Sequence, residues 1–223
     1  MFARIRSAPD ATVLGEVLML VVGINIALWF EGKFEDFSDA ETEQQYLRGL
    51  RDDLKTDLDR LEGVIEFNET KSARLSSLLP QLAGLGDAPA DELLQAMFEP
   101  SSYDFFSPAD FTFRSMQESG DFRLLSDEAT KQGLLKLARR YRELDQIQQN
   151  FLQALDDGYI PLMMAGFDMV NARLGDPALV DNLAFRNFFA YALQDTQQRT
   201  LYMADARKQA EALLKLVASQ VRE

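Results

Sequence analysis

Twenty residues near the start, Ala11 to Phe30 (ATVLGEVLMLVVGINIALWF), constrain this chain more than any others. From Val17 to Phe30 they contain no charge, one Asn and one Gly. A helix of that length spans about 30 Å, the thickness of a bilayer's hydrocarbon core. The run therefore predicts one transmembrane helix over 11–30. A short basic head (1–10) precedes it, a linker (31–38) follows, and a soluble domain takes 39–223.

The residues after the run, Glu31-Gly32-Lys33-Phe34-Glu35, hold no small-x-small cleavage site. An uncleaved signal anchor is expected, not a removable signal peptide. Trp29 and Phe30 stand where an interfacial aromatic belt belongs. The head carries Arg4, Arg6 and the free amine, whereas 31–45 carries only Lys33. That bias places the N-terminus in the cytoplasm and the domain outside it, periplasmic if the membrane is a bacterial inner membrane. With only about ten residues before the span, no output domain is expected on the cytoplasmic side. Glu16, Gly23 and Ala27 fall within reach of one helical face, Gly23-x-x-x-Ala27 is a small-x-x-x-small pair, and Asn25 lies deeper. Polar and small residues inside a span mark a partner helix, so these four are candidate contacts to a second copy or another membrane protein.

Composition removes whole classes of chemistry. The chain has no His and no Cys. Thiol nucleophiles, Cys/His zinc sites, haem or iron-sulfur ligation and imidazole acid-base chemistry are excluded. No cofactor and no metal site are expected. Only carboxylates, Lys, Tyr and Ser remain as catalytic groups, and they form no recognised constellation, so an enzyme is not expected. Arg4 and Arg6 balance Asp10 and Glu16, which leaves the whole net charge of −13 in residues 31–223. Such a surface repels phosphates, so nucleic acid is not an expected partner.

The domain reads as all-α, because no strand-type alternation of useful length occurs. Ser38-x-x-Glu41 has the form of a capping box. Leu47, Leu54, Leu61, Asn68, Leu75 and Leu82 then recur every seven residues, with Leu50, Val64 and Leu78 three places on. Asp57 and Lys71 break that second series. This pattern predicts a long helix over about 39–79 with a coiled-coil-like seam at Leu47, Leu54, Leu61, Asn68 and Leu75. The seam can serve an intramolecular bundle or self-association. Asp52, Asp53, Asp57, Asp59 and Glu62 alternate with Arg51, Lys55 and Arg60, which reads as a solvated, ion-paired face and not a metal site.

Ser107-Pro108 predicts a helix start and Gly120 its stop. Ser126-Asp127-Glu128 opens a second long helix, about 127–157, that Gly158 and Pro161 should bend or break. Tyr159–Phe167 is uncharged but too short to span a bilayer, and is expected in the core. A third long helix covers about 181–221. Three long helices with short connectors predict an elongated antiparallel bundle. The aromatics of 103–113, 159–167 and 183–193 are expected to meet at one end.

The run Gly15 to Leu28 (GEVLMLVVGINIAL) resembles the N-terminal signature of a bacterial family of single-span proteins of unknown function. There a Gly-Glu pair opens an aliphatic run, Gly-Ile follows, and Ala-Leu with a nearby Trp closes it. Asn25 stands where the family more often has an aliphatic residue, and Phe30-Glu31-Gly32-Lys33 replaces an Asn-rich stretch. Leu47, Gly49, Leu50, Asp53 and Leu54 are similar to the Leu-rich stretch after that anchor. Phe113 to Ser126 (FRSMQESGDFRLLS) is similar to a second signature, a helix ending in Ser-Gly before an apolar pair and a new N-cap. The resemblance implies a membrane anchor on a helical domain, and no activity. A membrane-anchored structural or interaction protein is the expectation, either a homo-oligomer or an accessory subunit of a larger complex. The alternative is an extracytoplasmic sensory or small-ligand-binding module signalling through a partner.

Overall fold

A computed structural model describes the backbone of residues 11–222, and their side chains except at 11–15, 17, 27, 28 and 30–37. The head, with Arg4 and Arg6, lies outside the described residues, as do the side chains of Ala27 and Phe30. The first element is one uninterrupted helix, α1 (Ala11–Leu78). Its 68 residues make a rod about 100 Å long. The start expected near Ser38 is absent, and the linker 31–38 is helical. Ser38 lies inside the helix, where its carbonyl accepts from Thr42 Oγ1 at 2.9 Å. A capping box forms only if the preceding residue leaves the helical conformation, and here it does not.

Among the described residues no helix is long and apolar enough to cross a membrane. The described side chains of the expected span run unbroken only over 18–26, about half of what a bilayer core requires.

Beyond α1 come a 3-10 segment at Leu79–Asp87 and α2 (Ala90–Phe98). A return strip follows, with α3 (Phe111–Ser119) near its end, stopped by Gly120 at φ 81°. Asp127 caps α4 (Glu128–Ala154) by accepting from Thr130 N–H at 2.8 Å. The helix then widens into a π turn over Leu155–Tyr159, at the Gly158 and Pro161 expected to disturb it, before α5 (Ile160–Gly166). A two-residue hairpin pairs β1 (Phe167–Asp168) with β2 (Arg173–Leu174). Asn182 caps α6 (Leu183–Gln220) by accepting from two N–H groups. The fold is all-α apart from that hairpin.

α6 packs antiparallel against both α1 and α4, whereas α1 and α4 have few direct contacts. The return strip lies between them. Its contacts descend α1 in order: Pro100 and Ser102 at Lys71, Ser107 at Arg60, Ala109 at Asp57, Thr112 at Asp53, Asp121 at Tyr46 and Ser126 at Glu43. At Gly49 the approach is close enough that a Cβ would stand 2.7 Å from Thr112 Oγ1.

The seam residues are all buried, facing inward within one chain. The seam's leucines divide between two apolar clusters, with Asn68 between them. The proximal one joins Leu47, Leu54 and Leu61 to Leu134, Leu144, Met203 and Leu213. The distal one joins Leu75 to Phe151, Tyr159, Phe185 and Phe189. The aromatics do not all meet at one end. Tyr159 stacks on Phe185 and Phe188, with centroids 5.6 and 4.7 Å away. Phe106, however, packs on Tyr141 at 5.0 Å and Phe113 on Phe122 at 5.7 Å, both in the proximal cluster. The descending strip leaves Phe105 packed against the distal cluster and carries Phe106 and Phe113 away from it.

Candidate functional site

Two places where α1 breaks its heptad pattern become buried polar sites. Asp57 is 2% exposed, so it is not part of a solvated acidic face. It accepts from Ala109 N–H at 2.6 Å, and Asp53 one turn earlier accepts from Thr112 N–H at 2.8 Å. A helix start leaves N–H groups without internal partners. Two carboxylates from α1 satisfy those at the approach to α3, which has no side-chain cap of its own.

Next to this contact lies a crevice of about 580 Å³, bounded by α1, α4 and the strip. Phe105, Phe106, Phe113 and Tyr141 give it aromatic walls, and Asp53, Asp57, Asp110, Asp145, Arg114 and Arg142 give it charge. The Gln148 amide fixes the wall by pairing with both sides of Phe106: it accepts from its N–H at 2.8 Å and donates to its C=O at 3.0 Å. Tyr141 is 9% exposed, and its hydroxyl makes no hydrogen bond of ordinary geometry. Burial, then the negative charge of Asp57, holds that phenol protonated far above its usual range. Burial also pushes the Asp57 carboxyl up.

Lys71 marks the second break, at a polar layer between the two apolar clusters. It is 1% exposed and donates to the carbonyls of Pro100 (3.1 Å) and Ser102. Burial, then the neighbouring Arg199 charge, pushes it down to about 7. Arg199 is fully buried on α6. Its Nε donates to Asp195 at 2.7 Å, and one terminal nitrogen has no partner. Lys71 and Arg199 each stand 4.8 Å from the centroid of one ring, Phe151. Burial outweighs the ion pair on both partners, raising Asp195 and lowering Arg199. Asn68 completes the layer, donating to Met203 Sδ at 3.5 Å.

On the N-terminal arm, Glu16 and Gly23 share one face with Met19, Leu20 and Ile24, along an open groove. Asn25 does not join them. It sits two residues past Gly23, about 200° round the helix, and its amide donates back to Val21 C=O at 2.7 Å. Trp29 is exposed. Among the described residues no group of three or more His, Cys, Asp or Glu is placed to hold a metal ion.

The Tyr141–Asp57 crevice and the Lys71–Arg199 layer were not singled out from sequence as sites. The signal was there: a charged residue at a seam position, twice in one helix. α1 also docks on α3 and the turn that follows it. Gly49 and Asp53 receive α3, and Tyr46 donates to Asp121 at 2.7 Å. No protein-family model, curated protein or solved structure matches this chain.

Proposed function

We propose that this chain is a membrane-anchored, non-catalytic helical-bundle protein that works through contacts with itself or with another membrane protein. One observation carries the reading. Leu18, Met19, Leu20, Val21, Val22, Ile24 and Ile26 are all exposed, on consecutive turns that cover every side of the rod. A helix that is apolar all round needs apolar surroundings, and a one-sided groove for a partner would leave half of it in water. The sequence extends the same run to 11–30, and Trp29 falls at its interfacial end. Residues 11–30 are therefore assigned to a lipid bilayer, of a bacterial inner membrane by the family resemblance, with the N-terminus cytoplasmic and the bundle periplasmic.

The seam at 47–75 is spent on the chain's own α4, α6 and return strip. Association must then use the arm, through the Glu16–Gly23 face, or the outer surface of the bundle. Washing native membranes with alkaline carbonate, then solubilising them in mild detergent and identifying what co-purifies, tests this. Retention through the wash and release as a homo-oligomer or with a partner is expected. A monodisperse monomer in buffer without detergent contradicts it.

The crevice favours a second reading alongside the first, a small-ligand-binding module. It sets aromatic walls beside charged and amide side chains, and an apolar pocket with polar groups to orient its occupant is the usual form of a ligand site.

A further inference from the structure

The end of the bundle farthest from the arm carries an apolar surface in the open. α5, Ile160-Pro161-Leu162-Met163-Met164-Ala165-Gly166, has no polar side chain. It buries Met163 and Gly166 and exposes Ile160, Pro161, Met164 and Ala165, so the uncharged stretch expected in the core is only half enclosed. The hairpin that follows adds Met169 and Val170, and α6 begins with Leu183, 72% exposed. A groove of about 420 Å³ runs beside α5, lined by Leu162, Ala165, Ala178 and Leu179 together with Asp176 and Asp181. Single exposed leucines are ordinary, but a wholly apolar outer helix face beside an apolar groove marks a contact surface. Methionine suits one, because its unbranched chain adapts to what it meets.

Position and charge decide the occupant. At 1.5 Å per residue, the stretch of α1 from 31 to 78 sets this tip about 70 Å along the rod from the arm, so the bilayer around the arm does not cover it. The segments that build the tip, 79–98 and 155–186, contain eight acidic residues against two arginines. One of the two, Arg173, is paired with Asp168 at 3.2 Å. A second copy would set this charge against itself, and an anionic lipid surface would be repelled. We propose that the tip docks a basic amphipathic helix of another protein. Its apolar face lies along the α5 groove against Met164 and Leu183, and its Lys or Arg side chains reach Asp176 and Asp181. Apolar anchors on one helix face supply the affinity of such a contact, and complementary charge selects the partner.

This rests on reading the chain as one that works through contacts, and it names the surface and the partner's chemistry. The full chain in neutral-lipid nanodiscs, with empty discs as the blank, is titrated with a labelled Leu/Lys amphipathic helical peptide and with a Leu/Glu peptide of the same pattern. The expected result is saturable binding of the Leu/Lys peptide, about tenfold or more tighter than of Leu/Glu. A Met164→Ser/Leu183→Ser protein, changed only at exposed positions and melting like the wild type, should lose about tenfold or more. Leu201→Ser, at an exposed leucine farther along α6, should lose nothing. Equal binding of both peptides overturns the charge assignment. No saturable binding, or unchanged binding in the double variant, overturns the docking site. Self-association that the double variant abolishes gives the tip to a second copy and overturns the basic partner. None of these results touches the arm's retention through the carbonate wash, so the membrane-anchored reading stands or falls separately.

Discussion

The two halves of α1 are built from similar aliphatic residues and meet opposite fates. Around Val22 the apolar side chains stand in the open; around Leu61 they are sealed beneath two neighbouring elements. What differs is the pattern. The arm carries apolar side chains on every side, so no single face of it gathers them for α6 to cover. The seam half is apolar only every third and fourth residue, which gives α6 and the return strip one stripe to cover. Apolar content alone therefore does not define a core. Periodicity decides whether a hydrophobic stretch finds its partner within the chain or must look outside it.

Changes in the sealed half should register as lost stability, and changes in the arm should not. The largest expected effect is at Arg199→Ala, which strands Asp195 and empties the space beside Phe151. Breaking such a buried pair costs about 3–5 kcal/mol, read as a fall in the denaturant midpoint. Leu61→Ala, at a position with no exposed surface, should cost about 3 kcal/mol in the same assay. If either protein melts like the wild type, the sealed half is not sealed.

Lys71 gives a pH test with a definite sign. Its folded value is about 7 against an ordinary 10.5, so the unfolded chain binds more protons between those limits. Stability from this group therefore rises with pH across that window. Lys71→Met should flatten the rise between pH 7 and 9, below the range where unfolded tyrosines titrate, by no more than about 2 kcal/mol. An unchanged slope places the charge elsewhere. Gly49→Ala pushes a methyl into Thr112 at a cost of about 2 kcal/mol, and helix propensity returns about 1. A net loss of about 1 kcal/mol is expected, with α3 loosened in hydrogen exchange. Smallest is Leu20→Ser in the arm: less than about 0.5 kcal/mol on bundle unfolding, though membrane retention weakens.

The sequence made the all-helical class, the seam and the stops at Gly120 and Gly158–Pro161 legible, because periodicity and turn residues act locally. It hid the helical continuity through Ser38, since a capping box and an in-helix Ser-x-x-Glu look alike. It also hid the return strip. Residues 99–110 have no period of their own, because Lys71, Gln148 and Asp57 satisfy much of their backbone from other helices. For the same reason Asp57 read as solvated: a seam template treats a charge as a gap, and only the strip shows what fills it. On the arm, the shared face of Glu16 and Gly23 followed from spacing, whereas Asn25 turned out to bond its own helix.

The chain has no native cysteine, so single cysteines can report directly on whether the arm of α1 enters lipid. Val22→Cys and Ser77→Cys proteins, reconstituted in liposomes, would be exposed to a membrane-impermeant maleimide before and after detergent. The cysteine at 77 should label at once in the outward-facing fraction. The cysteine at 22 should stay unreactive until detergent dissolves the bilayer. Equal, rapid labelling of both in intact liposomes would mean that the arm sits in water, and the reading of α1 as one rod passing from lipid into the bundle would be wrong.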